Sequence, residues 1–387
     1  MVGIEGIFLS TNEQQTFEIV GKVAMGKMDR TLACSLLSVS RRTLSRYISG
    51  YRKQGLMFLK HGNRGRRPWN AHPYEIKGAC RRLMQEILVD FNMSHAKQVI
   101  EEKYGLKVPR ETFRRWCHEF KTVKRSHKRR AKIRQRRTRQ SQAGLMLQFD
   151  GSEHLWFGKE KSVLIAGIDD ATSSFLYGDF FDSENIFGCM NVLETIIKKF
   201  GIFRVLYVDR AGLYGGMKRR GFSQITRALG ELGIQVIYAQ SPEGKGRIER
   251  LFRTLQDRLI PELRVNNIQS RELASRYMRD IYLPDHNHRF AVKPELEESG
   301  FIKLNNGVNL RAIFCIKESR IVGKDHTISI KAERYRVLPA DKQSVAGRRV
   351  EVRFYPNSME VFLLDQPLEI QKIKSEIKQS DEDKVAG

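Results

Sequence analysis

The stretch Leu145-Met146-Leu147-Gln148-Phe149-Asp150 decides the fold of this chain. It is an apolar run that ends in a carboxylate, which is typical of a buried strand whose last side chain reaches a sheet edge. A second run, Val205-Leu206-Tyr207-Val208-Asp209, repeats the pattern, and a third acid, Glu249, stands at the start of a helical pattern. Two acids at strand ends and one on a helix can converge on a pair of Mg²⁺ ions. The three acids therefore predict a two-metal site for chemistry at phosphorus.

The helix that carries Glu249 has two distinct faces. One face packs inward at the spacing i, i+3, i+4, i+7. On the other face a carboxylate lies between cations, so it can hold a metal while its neighbours hold DNA phosphate. A plain salt-bridged surface helix is the alternative. The apolar face comprises Ile248, Leu251, Phe252, Leu255 and Leu259, and the polar face comprises Lys245, Glu249, Arg253 and Gln256.

Four other acids compete for the role of Asp150. Asp169 and Asp170 end the second predicted strand, and Asp179 and Asp182 lie where the third strand ends. Paired aspartates at strand ends are commonly turn formers. We therefore rank all four below Asp150.

Lysine and arginine exceed aspartate and glutamate by 25 over 387 residues, and residues 1–140 alone hold 32 Lys and Arg against 11 Asp and Glu. Such a charge predicts a polyanionic partner, which we expect to be double-stranded DNA. Five cysteines without a CxxC pair argue against a zinc finger or a disulfide scaffold. No apolar run reaches about 18 residues, so we expect no membrane partner and a cytoplasmic, nucleoid-associated protein.

Residues 1–60 are predicted to form a helix-turn-helix DNA-binding domain. A short helix over 31–37 is followed by a turn over 38–40, and Ser40 is placed to cap the next helix. An ordinary three-helix domain with a solvated basic face is the alternative. The side chains that we expect to contact DNA are Arg41, Arg42 and Arg46.

Residues 74–120 are predicted to form a second helix-turn-helix domain. One long helix is expected over 75–90, Ser94 is expected to cap the next helix, and Pro109 opens the last one, where a missing N–H costs least. Trp116 on that helix is expected in the core rather than stacked on a base. The side chains that we expect to contact DNA are Arg110, Arg114 and Arg115.

Two basic linkers, 61–73 and 121–143, flank this second domain. The first is rich in Gly, Pro and Arg, which suits either an arm in a minor groove or a solvated tether. The second holds 11 Lys and Arg and no acid between 121 and 140, so we expect it to order only against phosphates. The linker side chains that we expect to contact DNA are Arg64, Arg66, Arg67, Lys128, Arg129 and Arg130.

From residue 144 the pattern becomes α/β. Three strands form a meander, and strands then alternate with helices up to residue 300, which predicts a ribonuclease-H-like catalytic core with a mixed five-stranded sheet. Short β-type runs over 310–366 predict a small β-barrel. Residues 367–387 are expected to be a charged tail. The fold class is thus multidomain, all-α at the N-terminus, α/β in the centre and all-β after it.

Residues 145–260 resemble the retroviral-integrase superfamily of catalytic cores, the DDE transposases of bacterial insertion sequences. The resemblance lies in LQFDGS (147–152), AGIDDATS (166–173), YVD (207–209) and SPEGKGRIER (241–250). The last is the most specific, because a Lys/Gly/Glu segment opens the helix with the third carboxylate in that family. The 39 residues between Asp209 and Glu249 match the family's spacing. The paired helix-turn-helix domains resemble the subgroup of insertion sequences that is "not classified yet" (ISNCY).

The resemblance implies phosphoryl transfer on DNA with two Mg²⁺ ions, for which Mn²⁺ can substitute. It implies that Asp150 holds both ions, Asp209 one and Glu249 the other. Water cuts the element's ends first, and each freed 3′-OH then attacks a target phosphodiester in line. The helix-turn-helix domains would bind terminal inverted repeats, and joining two ends implies a homo-oligomer on DNA. The side chains expected to hold phosphates near the cut are Lys245 and Arg247, and Arg253 is also expected to contact DNA.

The chain departs from the family at one position and leaves three alternative functions open. Where the family often has Asn-Gly after the second Asp, this chain has Arg210, which could alter metal access or contact DNA. The first alternative is a DNA-binding regulator with an inactive core. The second is a nuclease for RNA–DNA hybrids, and the third is a phage-type repressor. The two helix-turn-helix domains argue against the nuclease, and the long α/β core argues against the repressor.

Overall fold

The computed structural model describes residues 3–4, 7–8, 10–59, 69, 71–122, 137–158, 160–209, 219–239, 242–338 and 344–373. By packing, the chain divides into two units, Met1–Lys77 and Gly78–Gly387. Within the described ranges, no helix is both long and apolar enough to cross a membrane.

The first unit contains a helix-turn-helix whose helices begin at side-chain caps. The Ser40 hydroxyl accepts a hydrogen bond from the Thr43 N–H at 3.2 Å, as the sequence predicts, and Ser38 makes the preceding turn with a φ of 53°. Val20, Ala33 and Leu44 form the buried centre. The elements are β1 (Gly3–Ile4), β2 (Ile7–Phe8), α1 (Thr11–Ala24), α2 (Arg30–Leu37), α3 (Arg41–Gln54) and a 3₁₀ turn (Gly55–Leu59).

The second group of helices differs from its predicted form in two details. The expected helix over 75–90 turns into a π-helical turn after Arg82. The cap of the following helix is Asn92, whose side-chain oxygen accepts from the His95 N–H at 2.9 Å; Ser94 already lies inside that helix. The elements are α4 (Tyr74–Arg82), the π-helical turn (Leu83–Ile87), α5 (Met93–Tyr104) and α6 (Arg110–Glu119).

The α/β core contains a five-stranded sheet in the order β5-β4-β3-β6-β7. The first three strands pair antiparallel as a meander, whereas β6 and β7 join parallel to β3. This is the mixed sheet that the sequence predicts. The strands are β3 (Met146–His154), β4 (Ser162–Asp169), β5 (Phe175–Phe181), β6 (Val205–Val208) and β7 (Gln235–Tyr238).

Alternation along β3 gives the sheet two different faces. Leu147 and Phe149 pack into one cluster with helix α7 (Ile186–Phe200). Gln148 and Ser152 contact helix α9 (Gly246–Val265) on the opposite face. The predicted apolar face of α9 is buried throughout. The helical elements of the core are α7 (Ile186–Phe200), α8 (Arg219–Glu231), α9 (Gly246–Val265), α10 (Arg271–Tyr277), a π-helical turn (Met278–Tyr282) and α11 (Leu283–Phe290).

Helix α5 and the turn before it are fixed to the C-terminal half of α9. His95 is fully buried, and its Nε2 lies 2.8 Å from the Glu262 carboxylate, which also accepts from the Tyr277 hydroxyl at 2.7 Å. Arg264 donates to Asp90 at 2.8 Å. The helix that carries Glu249 at its start therefore contacts α5 and the turn before it at its end.

The C-terminal region forms a nearly closed, barrel-like antiparallel sheet in the order β8-β11-β12-β13-β10-β9. The sequence predicts a charged tail from residue 367, but residues 366–372 form β13. That segment becomes a strand because its backbone forms hydrogen bonds with β10 and β12. The polar composition of the segment does not indicate this pairing. The elements are α12 (Leu310–Ile313), β8 (Ile316–Ile321), β9 (Thr327–Ile330), β10 (Glu333–Leu338), β11 (Arg349–Phe354), β12 (Met359–Leu363) and β13 (Gln366–Lys372).

Helix α8 joins the barrel to the core through polar contacts. Arg227 donates to the carbonyl oxygens of Ile313 and Cys315 at 3.0 and 2.5 Å. The Gln224 side chain exchanges two hydrogen bonds with the Lys317 backbone, at 2.7 and 3.0 Å. These bonds give hydrogen-bond partners to backbone N–H and C=O groups in the segment where the chain passes from the core to the barrel-like sheet.

We expect Gly201→Ala to lower the free energy of unfolding by about 2–3 kcal/mol, because Gly201 has a φ of 103° that is almost restricted to glycine. An added Cβ would also lie 2.5 Å from the Ile302 carbonyl oxygen. Gly233→Ala is the matched control, since Gly233 has a φ of 72° and nothing within 4 Å of an added Cβ. It should cost about 1 kcal/mol in urea titrations. Equal losses of unfolding free energy in Gly201→Ala and Gly233→Ala would contradict the close packing at Gly201.

We expect His286 to make the protein less stable in acid. Burial, and then the charge of Arg258, lowers the pKa of His286 from 6.5 to about 4. The unfolded chain therefore binds a proton that the folded chain does not, and stability falls as pH drops through 6.5 towards 4. Between pH 7 and 5 this amounts to about 2 kcal/mol. His286→Gln should remove that increment from denaturant titrations, and the exposed His288→Gln should keep it.

Candidate active site

Two of the three predicted carboxylates meet at one cation. The ammonium of Lys245 lies 2.9 Å from Asp150 Oδ2 and 3.8 Å from Asp209 Oδ2. Asp150 extends from the middle of β3, and Asp209 directly follows β6, which pairs parallel to β3. Lys245 ends a 3₁₀ turn, Pro242–Lys245, in front of α9, and it is 3% exposed. Three separate segments therefore converge on this point.

The electrostatics of Asp150 favour a cation. Burial raises the pKa of the Asp150 carboxyl above its ordinary value, and the negative charge of Asp209 adds to the increase. Lys245 opposes both effects. Two carboxylates this close, one of them desolvated, are stabilised when positive charge lies between them.

Glu249 is not brought to this pair. It lies in the first turn of α9 with an exposed side chain. Among the described residues, no group of three or more Asp, Glu, His or Cys side chains is close enough to hold a metal ion. The structure thus unites Asp150 with Asp209 and leaves Glu249 on the adjacent helix.

A buried glutamine fixes the start of α9 against β3. Gln148 is fully buried, and its Oε1 accepts from the Ile248 N–H at 3.1 Å. Eight residues after Ile248 on the helix, Gln256 donates to Ser152 Oγ at 3.2 Å. The eight helical residues between these contacts span about 12 Å, and the four strand residues from Gln148 to Ser152 span about 13 Å. The start of α9 therefore runs alongside the part of β3 that carries Asp150.

Sequence reasoning missed a fourth acid beside Asp150. Glu184 precedes α7, and its Cδ lies 3.2 Å from the position that a Cβ on Gly151 would take. Burial, and then the charge of Asp150, raises the pKa of Glu184. Its position could not be read from the sequence, because only the sheet brings the loop before α7 to β3.

The four competing acids are all engaged elsewhere. Asp169 accepts from the Gly144 N–H at 2.8 Å and from Thr172, so it forms a turn as expected. Asp170 is fully buried among several donors, a role that the sequence did not indicate. Asp179 pairs with Arg279 at 3.3 Å, and Asp182 pairs with Arg271 at 2.5 Å.

The basic side chains that were expected to contact DNA fall into three groups. Those on α3 and α6, and Arg253 on α9, are exposed, although Arg114 pairs with Glu111. Lys245 and Arg247 are paired instead, with Asp150 and Asp170 respectively. The third group lies outside the described residues and comprises Arg64, Arg66, Arg67, Lys128, Arg129 and Arg130, together with Arg210.

The donors at this site fit a hard divalent cation. Asp150 and Asp209 offer carboxylate oxygens only, which are the ligands that Mg²⁺ prefers. The Lys245 ammonium shows that a single positive charge can contact both carboxylates at once. Softer ligands are not offered by these residues, so the donor set matches Mg²⁺ or Mn²⁺ rather than zinc.

Comparison with known proteins gives related sequences over most of the chain. A model of the helix-turn-helix domain family matches residues 18–68. A protein described as transposase y4bF of Sinorhizobium fredii (strain NBRC 101917 / NGR234) is 32% identical over 361 residues, 90% of this chain and 78% of that protein. The transposase for insertion sequence IS1202 of Streptococcus pneumoniae is 29% identical over 367 residues, 84% of this chain and 78% of that protein.

Two solved structures that match this chain share little sequence with it. The HTLV-2 integrase catalytic core domain in complex with magnesium (trimeric form) is 13% identical, with a TM-score of 0.29, over 35% of this chain and 85% of that chain. The simian T-cell lymphotropic virus intasome in complex with PP2A regulatory subunit B56 gamma is 12% identical, with a TM-score of 0.33, over 77% of this chain and 100% of that chain.

We expect Gln148→Leu to lower the free energy of unfolding by about 1–3 kcal/mol, because it removes the acceptor of the buried Ile248 N–H at nearly constant volume. Gln256→Leu is the matched control at the other contact between α9 and β3. That side chain is half-buried and makes one long hydrogen bond, so its loss should be about 1 kcal/mol or less. Urea titrations compare the two variants. A larger loss for Gln256→Leu would show that α9 is not anchored at Gln148.

Proposed function

The chain belongs to the DDE transposase family, and from this premise we propose that it cuts DNA at the terminal inverted repeats of an insertion sequence and joins the freed 3′-OH ends to target DNA. We propose that the reaction depends on Mg²⁺ and that Asp150, Asp209 and Glu249 are its catalytic carboxylates. The observation that carries the proposal is the pair of aspartates that share one cation in front of α9.

Each side chain has a task in this scheme. A pair of divalent ions, when bound, activates the attacking oxygen and neutralises charge on the phosphate. Asp150 and Asp209 fix the position of the reacting phosphate by holding positive charge at the edge between β3 and β6. Glu249 lies about one helical turn beyond Lys245, and it completes the site when its side chain rotates towards Asp150. Lys245 then exchanges its carboxylate partners for a DNA phosphate.

DNA recognition is assigned to the helix-turn-helix domains. Helices α3 and α6 expose arginines, which can read base edges or bind phosphates. We propose that residues 1–60 and 74–120 bind the terminal repeats and that 144–300 cuts them. Two ends must be held together for joining, so we also propose that the chain acts as a homo-oligomer on DNA.

A DNA-binding regulator with an inactive core is the second candidate. The observation that favours it is the position of Glu249, which is exposed and apart from Asp150 and Asp209. The helix-turn-helix domains would serve this function equally well. Binding without cleavage separates it from a transposase.

We expect Asp150→Asn, Asp209→Asn and Glu249→Gln each to reduce cleavage at least about 100-fold, because each removes a carboxylate that would hold the divalent ions, and those ions would neutralise charge on the phosphate in the transition state. The measurement is Mg²⁺-dependent nicking of a plasmid with the inverted repeats that flank the gene, followed by mapping of the 3′ ends. Binding to the repeats should stay within about threefold of wild type, since phosphate contacts elsewhere dominate affinity. Asp182→Asn is the control, because this exposed acid pairs with Arg271 and not with Lys245.

The same assay separates the two candidates. Nicks at the repeat ends that persist in Asp150→Asn would disprove the assignment of the carboxylates. Tight, salt-sensitive binding by wild type with no nicks at any Mg²⁺ or Mn²⁺ concentration would favour the regulator.

A further inference from the structure

Asp170 is a buried carboxylate on which three other segments of the core converge. Its side chain is fully buried, directly after β4. Oδ1 accepts from Gln148 Nε2 at 2.8 Å, from Arg247 Nη1 at 2.7 Å and from Arg137 Nη2. Oδ2 accepts from the Gln140 N–H at 3.0 Å, and the Asp170 N–H donates to the Met146 carbonyl at 3.0 Å. A single carboxylate thus satisfies donors from β3, α9 and the segment before β3.

The partners of Asp170 lie next to the proposed catalytic carboxylates. Gln148 is two residues before Asp150 on the same face of β3, and Arg247 is two residues before Glu249 in the first turn of α9. Gln148 also accepts from the Ile248 N–H. Asp170 therefore connects the strand and the helix turn on which the two acids stand.

The segment before β3 is held at the same point. Arg137 contacts Asp170, and its guanidinium lies 5.3 Å from the centre of the Tyr207 ring, two residues before Asp209. Arg139 donates to the Ala171 carbonyl at 3.1 Å and to Ser173 Oγ at 2.7 Å. The described end of the predicted basic linker is thus fixed beside β6 and the turn that follows β4.

The negative charge of Asp170 compensates the charges of Arg137 and Arg247, which a neutral side chain at this position would not do. Arg137 and Arg247 are 27% and 17% exposed, so both guanidinium groups are largely removed from water. Without the carboxylate, two partly buried cations would face each other uncompensated. The first turn of α9 and the segment before β3 would then move apart.

We propose that Asp170 is a positioning residue for catalysis: it sets the distance between Asp150 on β3 and Glu249 on α9 and seats the end of the basic linker beside them. This inference rests on the proposed function. It assigns to Asp170 no contact with metal or DNA.

The test measures Mn²⁺ binding by the full-length protein, with the concentration of free Mn²⁺ read from its electron paramagnetic resonance signal. Thermal unfolding of each variant is measured in parallel. We expect Asp170→Asn and Arg247→Gln each to weaken binding about tenfold, as is usual when groups behind the metal ligands are removed. DNA is left out, so that any phosphate contact of Arg247 cannot contribute. Asp170→Glu should recover part of the affinity, because it keeps the charge.

Asp179→Asn is the matched control. Asp179, on the neighbouring strand β5, is also a partly buried carboxylate with several donors: it accepts from Ser275, from the Phe180 N–H and from Arg279 at 3.3 Å. Its side-chain partners, however, belong to α10 and the following π-helical turn. It should lower the unfolding temperature while leaving Mn²⁺ affinity within about twofold of wild type. Should Asp170→Asn fail to fold, Arg247→Gln decides alone.

The outcomes separate the inference from the function on which it rests. If Arg247→Gln and every folded Asp170 variant bind Mn²⁺ as Asp179→Asn does, Asp170 is a structural residue only and the inference is overturned. If wild type itself binds no Mn²⁺ at millimolar concentrations, both the proposed metal site and the inference fail. Weakened binding in Asp170→Asn and Arg247→Gln, with an unchanged Asp179→Asn, supports the positioning role.

Discussion

The seating of α9 along β3 is the constraint on which the rest of the molecule depends. The buried side of the helix packs against the sheet through Ile248, Leu255 and Leu259, each of which is fully buried. Burying such side chains contributes about 1.5–3 kcal/mol each. The polar contacts at Gln148 and Ser152 then fix how far the helix slides along the strand. The position of α9 along β3 therefore decides where Lys245 and Glu249 lie relative to Asp150, and the far end of the same helix contacts α5 and the turn before it.

Several ion pairs lie around this helix. Lys245 contacts Asp150 and Asp209, Arg247 and Arg137 contact Asp170, and His95 lies against Glu262. Each set includes a buried group, so each must be satisfied within the protein. The exposed arginines of α3 and α6 belong to no such buried set, which leaves them to a polyanion such as DNA. In a protein with a net charge of +25, these buried charges are thus paired within the protein, while the arginines of α3 and α6 are exposed.

Periodicity in the sequence was enough to predict the strands and helices of the mixed sheet, the buried face of α9 and the Ser40 cap, because each of these elements depends on residues close together in the chain. Predictions were wrong or incomplete where distant segments decide. The polar segment 366–372 becomes a strand because β10 and β12 provide partners. Gln148 was recognisable as one polar residue within an apolar run, but nothing local marks its bond to α9. The roles of Asp170 and Glu184 are likewise visible only after the sheet has brought four segments together.

The central claim is that Asp150, Asp209 and Glu249 act on one metal site at the start of α9. The most direct measurement is a crystal structure of the protein with its terminal-repeat DNA and Mn²⁺, in which anomalous scattering locates the ions. The account predicts peaks within carboxylate coordination distance, about 2.0–2.5 Å, of all three acids, with Lys245 moved away from Asp150 onto a phosphate. Peaks that contact other side chains, or a Lys245 that stays between Asp150 and Asp209 with DNA bound, would contradict it.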